Sequence, residues 1–346
     1  MDSFTLQTYA QRILFDVDHL SALPDLMDDF GAHKVGIVTT RSHATSAASV
    51  SEALGSRHAA TFAGAKVHTP VEVTRQALGQ LAGSDAIISI GGGSTIGLGK
   101  ALSLPTGARH IAIPTTYAGS EMTPILGQTD KGRKIVGRDD RVVPDAVIYD
   151  VGLTLSLPRD VSMASGFNAL AHAVEALYAP DRYPEADATA TASIANLVQA
   201  LPAIARDPLD LQARRQAQYG AYLAGRVLAG RTMGLHHKLA HVLGGLFDLP
   251  HAPLHAVLLP HVVKFNEPVA MEALAPAAEL LGRNTSSVGL ACLADALGLP
   301  TTLSEIGMPR DGIHEAARLV VESRGANPRP YSEAEIVALL EEALGD

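Results

Sequence analysis

The sequence contains one cysteine in 346 residues, which excludes an intrachain disulfide and a thiol-rich metal site. Cys292 lies in the apolar run 288–294, so we predict that it is a small residue of the core. Uninterrupted apolar runs of about 18 residues are missing, and the N-terminus lacks a basic segment followed by an apolar one. These absences predict a soluble, cytoplasmic protein with neither a membrane span nor a secretory signal.

Positive charge is also scarce in this sequence. The 27 lysines and arginines are outnumbered by 36 aspartates and glutamates, which gives a net charge of −9, and the cations are scattered. This balance argues against nucleic acid and anionic membranes as partners. An anionic small-molecule substrate would therefore need to be attracted by a local group of cations.

The length exceeds the size at which a single core normally stops growing, so the sequence predicts two domains. Short β-branched runs alternate with helical segments from about residue 35 to residue 150, with predicted strands at 35–39, 86–90 and 110–113. Continuous apolar strands between helices are typical of a parallel sheet covered on both faces. We predict an α/β domain over residues 1–158.

The short β-branched runs that predict strands do not occur beyond Pro158. Long segments with helical periodicity take their place, at 184–206, 209–229 and 268–281. Near the end of the chain, Ser332 stands three residues before Glu335, and this pattern predicts a capped final helix. We therefore predict an all-helical domain over residues 159–346.

A glycine loop, Gly91-Gly92-Gly93, lies between a predicted strand and a predicted helix. Backbone without side chains can approach a diphosphate closely, and the start of a helix supplies free N–H donors. The loop fits neither G-x-G-x-x-G, because residue 96 is isoleucine, nor a P-loop, because Lys100 is followed by alanine. An ordinary tight turn is the alternative interpretation.

A second loop rich in hydroxyl groups follows the strand at 110–113, and its hydroxyls suit contacts to ribose, phosphate or nicotinamide amide. Both loops together predict a dinucleotide site. Its candidate residues are Gly91, Gly92, Gly93, Ser94, Thr115, Thr116, Tyr117 and Ser120.

The segment 233–266 carries six of the 14 histidines. Its helical period places His237 and His241 on one face. Gly244-Gly245 and Leu249-Pro250 are predicted to interrupt the helix, and a second helical run, 256–265, begins after His251. One buried histidine usually has a satisfied hydrogen-bond partner and no other role, but six in so short a segment favour a functional site.

With the glycine loop and the segments 114–125, 166–180 and 234–266, the chain resembles the iron-containing alcohol dehydrogenase family over essentially its whole length. The fold of that family is shared with dehydroquinate synthase and glycerol dehydrogenase. The resemblance implies an NADH- or NADPH-dependent oxidoreductase, a dinucleotide-binding domain before a helical domain, an active site in the cleft between them, and a homodimer. Within the family, the three segments are most similar to enzymes that reduce the C=C bond of an unsaturated oxo-dicarboxylate.

Metal-dependent members of the family hold a divalent metal with an aspartate, a histidine four residues later and two histidines fourteen residues apart. The matching positions here are Asn168, His172, His237 and His251. Because the amide of Asn168 brings no negative charge, we expect no bound metal. His255 stands where the dehydrogenases usually carry asparagine, and Lys238 where they carry a small or uncharged residue, so both changes add proton donors.

The resemblance implies roles for these side chains in stabilising an enolate and binding a dicarboxylate. We assign His241 and His237 to the enolate oxygen and its protonation, Lys238, His251 and His255 to the carboxylates, and Asn168 and His172 to the shape of the pocket. Glu175 lies one turn beyond His172 and is a candidate to orient that ring, the alternative being a solvated glutamate.

The residue that follows the first predicted strand bears on the choice of cofactor. NAD-specific members of the family carry an aspartate at the position of Thr40, where the carboxylate bonds the ribose and repels a 2′-phosphate. Thr40 removes that repulsion and Arg41 could approach the phosphate, so we predict that both NADH and NADPH are used. A solvated Arg41 is the alternative interpretation. Lys134 completes the predicted cofactor-binding set.

Two other functions fit parts of the pattern. One is a metal-dependent alcohol or polyol dehydrogenase that uses iron or zinc through His172, His237 and His251, which a tightly bound metal that restores activity after chelation would select. The other is a regulatory nucleotide-binding protein with an inactive site, which dinucleotide binding without turnover of any carbonyl or enone would select.

Overall fold

The computed structural model describes residues 3–131, 133–323 and 325–345, and the side chain of Lys134 lies outside that description. The chain divides into two compact units. One is Gln7–Leu157, and the other is Pro158–Asp346 together with Met1–Leu6.

The unit Gln7–Leu157 is built from strands and four α-helices. Its strands are β1 Arg12–Phe15, β2 Val35–Val38, β3 His58–Phe62, β4 Ala86–Gly91, β5 Arg109–Pro114, β6 Ile125–Asp130, β7 Arg133–Arg138 and β8 Ala146–Tyr149. Its helices are α1 His19–Phe30, α2 Ala44–Leu54, α3 Val71–Gln80 and α4 Gly93–Thr106. Six strands form a parallel sheet in the order β1-β8-β5-β4-β2-β3, and β6 pairs with β7 as an antiparallel hairpin.

Both faces of the parallel sheet are covered by helices. Along β4, the side chain of Ile87 packs with residues of α3 and α4, whereas Ile88 and Ile90 pack with residues of α1 and α2. Successive side chains of a strand point to opposite faces, so a strand buried on both faces must be apolar throughout. The predicted parallel sheet is therefore confirmed.

The second unit is helical, and its described residues contain no strand. Its helices are α5 Arg159–Leu177, α6 Pro184–Arg206, α7 Leu211–Gly230, α8 Leu235–Phe247, α9 His251–Leu280, α10 Ser286–Leu297, α11 Ile313–Glu322 and α12 Glu333–Leu344. Leucines of α8, α9 and α12 share one core with α11. Ser332 and Glu335 cap α12 reciprocally, which confirms the predicted final helix.

One of the two predicted interruptions is wrong. Helix α8 continues through Gly244-Gly245 and ends at Phe247, followed by Asp248 in a left-handed conformation with φ 52°, so the interruption predicted at Leu249-Pro250 is confirmed. Helix α9 is continuous for 30 residues and contains Pro260, Pro268 and Pro276. Buried residues spaced from Leu254 to Ala277 hold α9 against its neighbours, and this packing outweighs the local cost of the prolines.

The prediction for Cys292 is also wrong, because its side chain is exposed. Helix α10 buries Leu290, Leu293 and Ala294 on one face, and residue 292 falls on the other. The apolar run that surrounds the cysteine therefore forms a helix with one solvent-facing side.

Among the described residues, α6 is the one helix that is long and apolar enough to cross a membrane by length and composition alone. It packs against α5 and α7, and the buried hydroxyl of Ser193 donates to the carbonyl of Gly220 at 2.8 Å. The apolar window of α6 is 39% buried inside the protein, and a single helix of this kind is weak evidence for a membrane span.

Candidate active site

The predicted cofactor residues lie at the carboxyl ends of three neighbouring strands. In the order β5-β4-β2, the glycine loop follows the central strand, residue 115 follows β5 and Thr40 lies two residues after β2. Carboxyl ends of parallel strands meet at one edge of a sheet, where open α/β sheets bind ligands. The structure therefore brings the three predicted loops together.

The glycine loop lacks side chains for a steric reason. Gly91 has φ 147°, and a Cβ there would lie 2.6 Å from Thr95 Oγ1. A Cβ at Gly92 would lie 3.1 Å from Thr116 Cγ2, so the neighbouring hydroxyl loop also comes close. Helix α4 begins at Gly93 without a side-chain cap, which leaves its first N–H groups available to an anion.

Two buried hydroxyl oxygens at the start of α4 have no hydrogen-bond partner among the described residues, Thr95 Oγ1 and Ser120 Oγ. A Cβ on Gly93 would lie 4.0 Å from Ser120 Oγ, so that hydroxyl is close to the first turn of α4. Unsatisfied buried polar groups are rare and imply a missing partner. Together with the uncapped helix, they fit the diphosphate of a dinucleotide.

The side chain of His43 connects two of the predicted loops. Its Nδ1 lies 3.0 Å from Thr40 Oγ1 and its Nε2 lies 3.2 Å from Thr115 Oγ1. Burial lowers the pKa of His43, so the ring is neutral near pH 7. Arg41 is exposed, whereas Tyr117 is completely buried.

A buried lysine anchors the hydroxyl loop through backbone carbonyls. Lys100 Nζ donates to the carbonyls of Ser120, Thr123 and Ile125, and the distances for the last two are 2.7 and 3.0 Å. Burial lowers the pKa of Lys100 to about 7, and the nearby Glu121 acts in the opposite direction. Burial also raises the pKa of Glu121.

Helices α5 and α8 carry a linear set of four buried side chains, which we call the α5–α8 chain. Asn168 Nδ2 lies 3.3 Å from His172 Nε2, and His172 Nδ1 lies 2.7 Å from His237 Nε2. His237 Nδ1 makes a short hydrogen bond to Glu175 Oε2. Glu175 therefore orients His237, and the predicted contact to His172 is wrong because residue 175 turns toward the start of α8.

Two further histidines pack beside this chain. His236 Nε2 lies 2.8 Å from His255 Nδ1, and the ring centroids of His237 and His255 are 5.0 Å apart. Burial, followed by the neighbouring histidines, lowers the pKa of His236 and of His255 well below the usual range. Both rings are therefore neutral near pH 7.

The other predicted residues lie at the margin of this group. His251 begins α9, is exposed, and has its ring 4.5 Å from that of His255. His241 is exposed on α8, and Lys238 is partly buried with its stem near the position of Gly325. His261 lies apart, with Nδ1 3.7 Å from Glu342 Oε1.

The α5–α8 chain is a poor fit to the family's divalent metal. Asn168 replaces the carboxylate, and the 2.7 Å between His172 Nδ1 and His237 Nε2 is a hydrogen-bond distance rather than that of two ligands on one ion. Among the residues that the structure describes, the group of three ligand-type side chains with donor atoms within 4.8 Å is Asp18, His19 and Asp150.

Several residues of these sites escaped the sequence analysis. Lys100 had a usable signal, because a lysine between apolar residues on a helix that follows a buried strand is a candidate for burial. His43 had none, since its contact to Thr115 joins residues 72 positions apart. His236 lay in the histidine-rich segment, but nothing in the sequence pairs it with His255. Lys134 lies on β7, and its side chain is outside the described part of the chain.

Comparison with known proteins gives a consistent result. The family model "Iron-containing alcohol dehydrogenase" matches residues 10–151, and the model "Fe-containing alcohol dehydrogenase family, C-terminal" matches residues 162–344. Maleylacetate reductase of Burkholderia cepacia is 45% identical, with 99% of this chain and 98% of the relative covered. Maleylacetate reductase of Rhizobium sp. (strain MTP-10005) is 43% identical, with coverage of 99% and 98%. The crystal structure of maleylacetate reductase from Agrobacterium tumefaciens superimposes with a TM-score of 0.96 at 43% identity, covering 99% of each chain.

Proposed function

Because the chain belongs to the iron-containing alcohol dehydrogenase family, we propose that it is a maleylacetate reductase, which reduces the C=C bond of maleylacetate to give 3-oxoadipate in the degradation of aromatic compounds. The observation that carries this proposal is the full-length similarity to enzymes of that name. The departures at Asn168 and in the α5–α8 chain support it over a metal-dependent alcohol or polyol dehydrogenase, which would use the family's metal ligands.

Maleylacetate is a dianion in which a C=C bond is conjugated to a ketone. A reduced nicotinamide cofactor held by the glycine and hydroxyl loops would supply a hydride to the alkene carbon farther from the ketone. The electron pair of the double bond then moves toward the ketone and forms an enolate with negative charge on the former ketone oxygen. The enolate takes one proton on the alkene carbon next to the ketone to give 3-oxoadipate. The protein must therefore stabilise a developing oxyanion, provide a proton and bind two carboxylates.

The proposed roles follow from these three requirements. His241 serves the enolate oxygen and its protonation, His237 supports it from the same helix, and Asn168 and His172 shape the pocket. Lys238, His251 and His255 bind the carboxylates. Since His255 is neutral, its share in binding is a hydrogen bond.

We propose different tasks for His237 and His241. Both ring nitrogens of His237 already contact protein groups, Glu175 on one side and His172 on the other. His241 lies one turn along the same helix and is exposed. We therefore assign the direct hydrogen bond to the enolate to His241, and to His237 the task of holding the α5–α8 chain in place behind it.

The unit Gln7–Leu157 would hold the cofactor through the glycine loop, the hydroxyl loop and Thr40. The fit to a dinucleotide rests on the uncapped α4 and on the two unsatisfied hydroxyls near it. We further propose that the enzyme is soluble and cytoplasmic. A homodimer stays a prediction.

The first prediction concerns cofactor choice and is tested by nicotinamide absorbance with maleylacetate and each reduced cofactor. We expect kcat/KM for NADH and NADPH to differ by less than about a hundredfold, or about 2.7 kcal/mol of transition-state discrimination. Thr40→Asp should shift the preference toward NADH, because a carboxylate accepts from the ribose 2′-hydroxyl and repels a 2′-phosphate. Thr45→Asp, on the exposed side of α2, is the control and should leave the ratio unchanged. A larger native difference would contradict the interpretation of Thr40, and absence of turnover with both cofactors would contradict the proposed function.

The second prediction concerns metal. We expect protein purified without added metal to contain far less than one equivalent of iron or zinc by elemental analysis, and a chelator to leave its activity intact. The reason is the neutral donor set, since an amide and imidazoles provide no negative charge for a divalent ion. Stoichiometric metal that is lost together with activity would select the metal-dependent dehydrogenase instead. Conversely, Asn168→Asp should raise zinc affinity without improving maleylacetate reduction.

A further inference from the structure

We propose that Asn168 and Glu175 are positioning residues that fix one tautomer in both His172 and His237, with the proton on Nδ1 of each ring. The inference concerns the site of the proposed function and takes its relevance to turnover from that proposal. It rests on which atom donates and which accepts in each hydrogen bond of the α5–α8 chain.

The direction is set at the carboxylate end. Glu175 only accepts, and its Oε1 takes the backbone N–H of His236 at 2.8 Å, so its Oε2 accepts from Nδ1–H of His237. A neutral ring with a proton on Nδ1 has a lone pair on Nε2, to which Nδ1–H of His172 must donate across 2.7 Å. The lone pair left on His172 Nε2 then requires a donor, and the amide nitrogen of Asn168 faces it at 3.3 Å.

The carboxylate end is built for this contact. Glu175 is completely buried, and a Cβ on Gly234 would lie 3.2 Å from Glu175 Oε1 and 2.8 Å from the carbonyl of Ala326. A side chain at residue 234 would therefore push the carboxylate away from the start of α8. At the amide end, Asn168 Nδ2 faces the His172 ring, and Asn168 Oδ1 has no partner among the described residues.

This order of donors and acceptors gives Asn168 a positive function rather than only the loss of a metal ligand. An aspartate at residue 168 would make both ends of the α5–α8 chain hydrogen-bond acceptors. Three hydrogen bonds then need three protons, and two neutral imidazoles supply only one N–H each. The α5–α8 chain with aspartate would therefore need one additional cation, either a proton or a metal ion, between two of its acceptors. With asparagine, every hydrogen bond of the α5–α8 chain has one donor and one acceptor. The Nε2 lone pairs of His172 and His237 are both used within the protein.

The test is a long-range ¹H–¹⁵N correlation spectrum of substrate-free protein labelled with ¹⁵N-histidine, which distinguishes protonated from bare ring nitrogens. Signals are assigned with His172→Asn and His237→Asn. We expect Nδ1–H and bare Nε2 on both rings, and in Asn168→Asp a proton on Nε2 of His172. The matched control is Asn196→Asp on α6, where the amide donates to the carbonyl of Ala192 on an exposed helix face, and it should leave the spectrum unchanged.

A second variant, at Glu175, is expected to reverse the direction of every hydrogen bond in the α5–α8 chain. In Glu175→Gln the amide oxygen must keep accepting from the N–H of His236, so the amide nitrogen faces His237 Nδ1. Both rings should then carry the proton on Nε2, and Asn168 should rotate to present its oxygen to His172. The double variant Asn168→Asp/Glu175→Gln restores a complete chain, so its melting temperature should exceed that of Asn168→Asp alone.

Nε2–H on His172 in the native protein would overturn the inference, and so would an Asn168→Asp spectrum identical to the native one or a double variant less stable than Asn168→Asp. These spectra and melting temperatures are recorded without substrate. They therefore test the tautomers independently of the maleylacetate assay, whose failure would instead remove the proposed function.

Discussion

Replacing His237 or His241 by alanine is expected to lower kcat for maleylacetate reduction by at least about a hundredfold, the scale for a lost acid or oxyanion donor. At His241, the variant removes the donor assigned to the enolate oxygen. At His237, it leaves the buried Glu175 carboxylate without its ring partner and His172 without its acceptor. Steady-state kinetics with saturating cofactor measure both effects.

Lys238→Ala is the informative contrast on the same helix. Its assigned role is to bind a substrate carboxylate, so the variant should chiefly raise KM for maleylacetate and change kcat little. His261→Ala is the control for loss of a histidine outside the active site, since that ring pairs with Glu342, and it should retain kcat. Near-normal turnover in a variant that lacks both His237 and His241 would end the assignment.

Lys100→Met is expected to reduce the free energy of unfolding by about 1 to 3 kcal/mol, the scale for leaving a buried hydrogen-bond acceptor without its donor. The variant leaves the carbonyls of Ser120, Thr123 and Ile125 without their shared donor and removes the amine near the buried Glu121. Because those carbonyls belong to the hydroxyl loop and its continuation, cofactor binding should weaken as well. Denaturant unfolding and fluorescence titration with NADH measure the two effects.

Two further variants separate charge burial from packing in this region. Ser103→Ala, on the same helix, removes a hydroxyl that donates to the carbonyl of Lys100, and it should leave NADH affinity unchanged. Lys100→Met/Glu121→Gln should be more stable than Lys100→Met alone, because the second change removes a carboxyl group that is buried without a nearby amine. An additive double variant would show that the two side chains do not act as a pair.

Two kinds of expectation came from the sequence and hold in the structure. Continuous apolar strands such as 86–90 are buried only when both faces of a sheet are covered. This apolar pattern, repeated between helical segments, predicts the α/β unit. Ser332 and Glu335 are close enough in sequence for their capping bonds to be local. Both depend on neighbours within a few residues, which a sequence displays directly.

Helix boundaries in the histidine-rich region followed only in part from local signals. Gly244-Gly245 and the three prolines of α9 each disfavour a helix by propensity, yet both helices continue through them. The decisive contribution is burial against distant segments, which a local pattern does not contain. For the same reason, the apolar run around Cys292 did not reveal which of its residues faces solvent.

The sequence by itself determined the chemical inventory of this protein, namely the triglycine turn, the hydroxyl loop, the histidines of α8 and α9, and asparagine at residue 168. Only the tertiary structure decided how these groups pair. Glu175 could have faced solvent, His172 or His237, and it faces His237 because α5 and α8 pack with residues 62 positions apart in contact. Lys100 and His43 likewise acquire their partners from other strands and loops. Hydrogen bonds depend on distance and direction in space, and sequence separation constrains neither beyond a few residues.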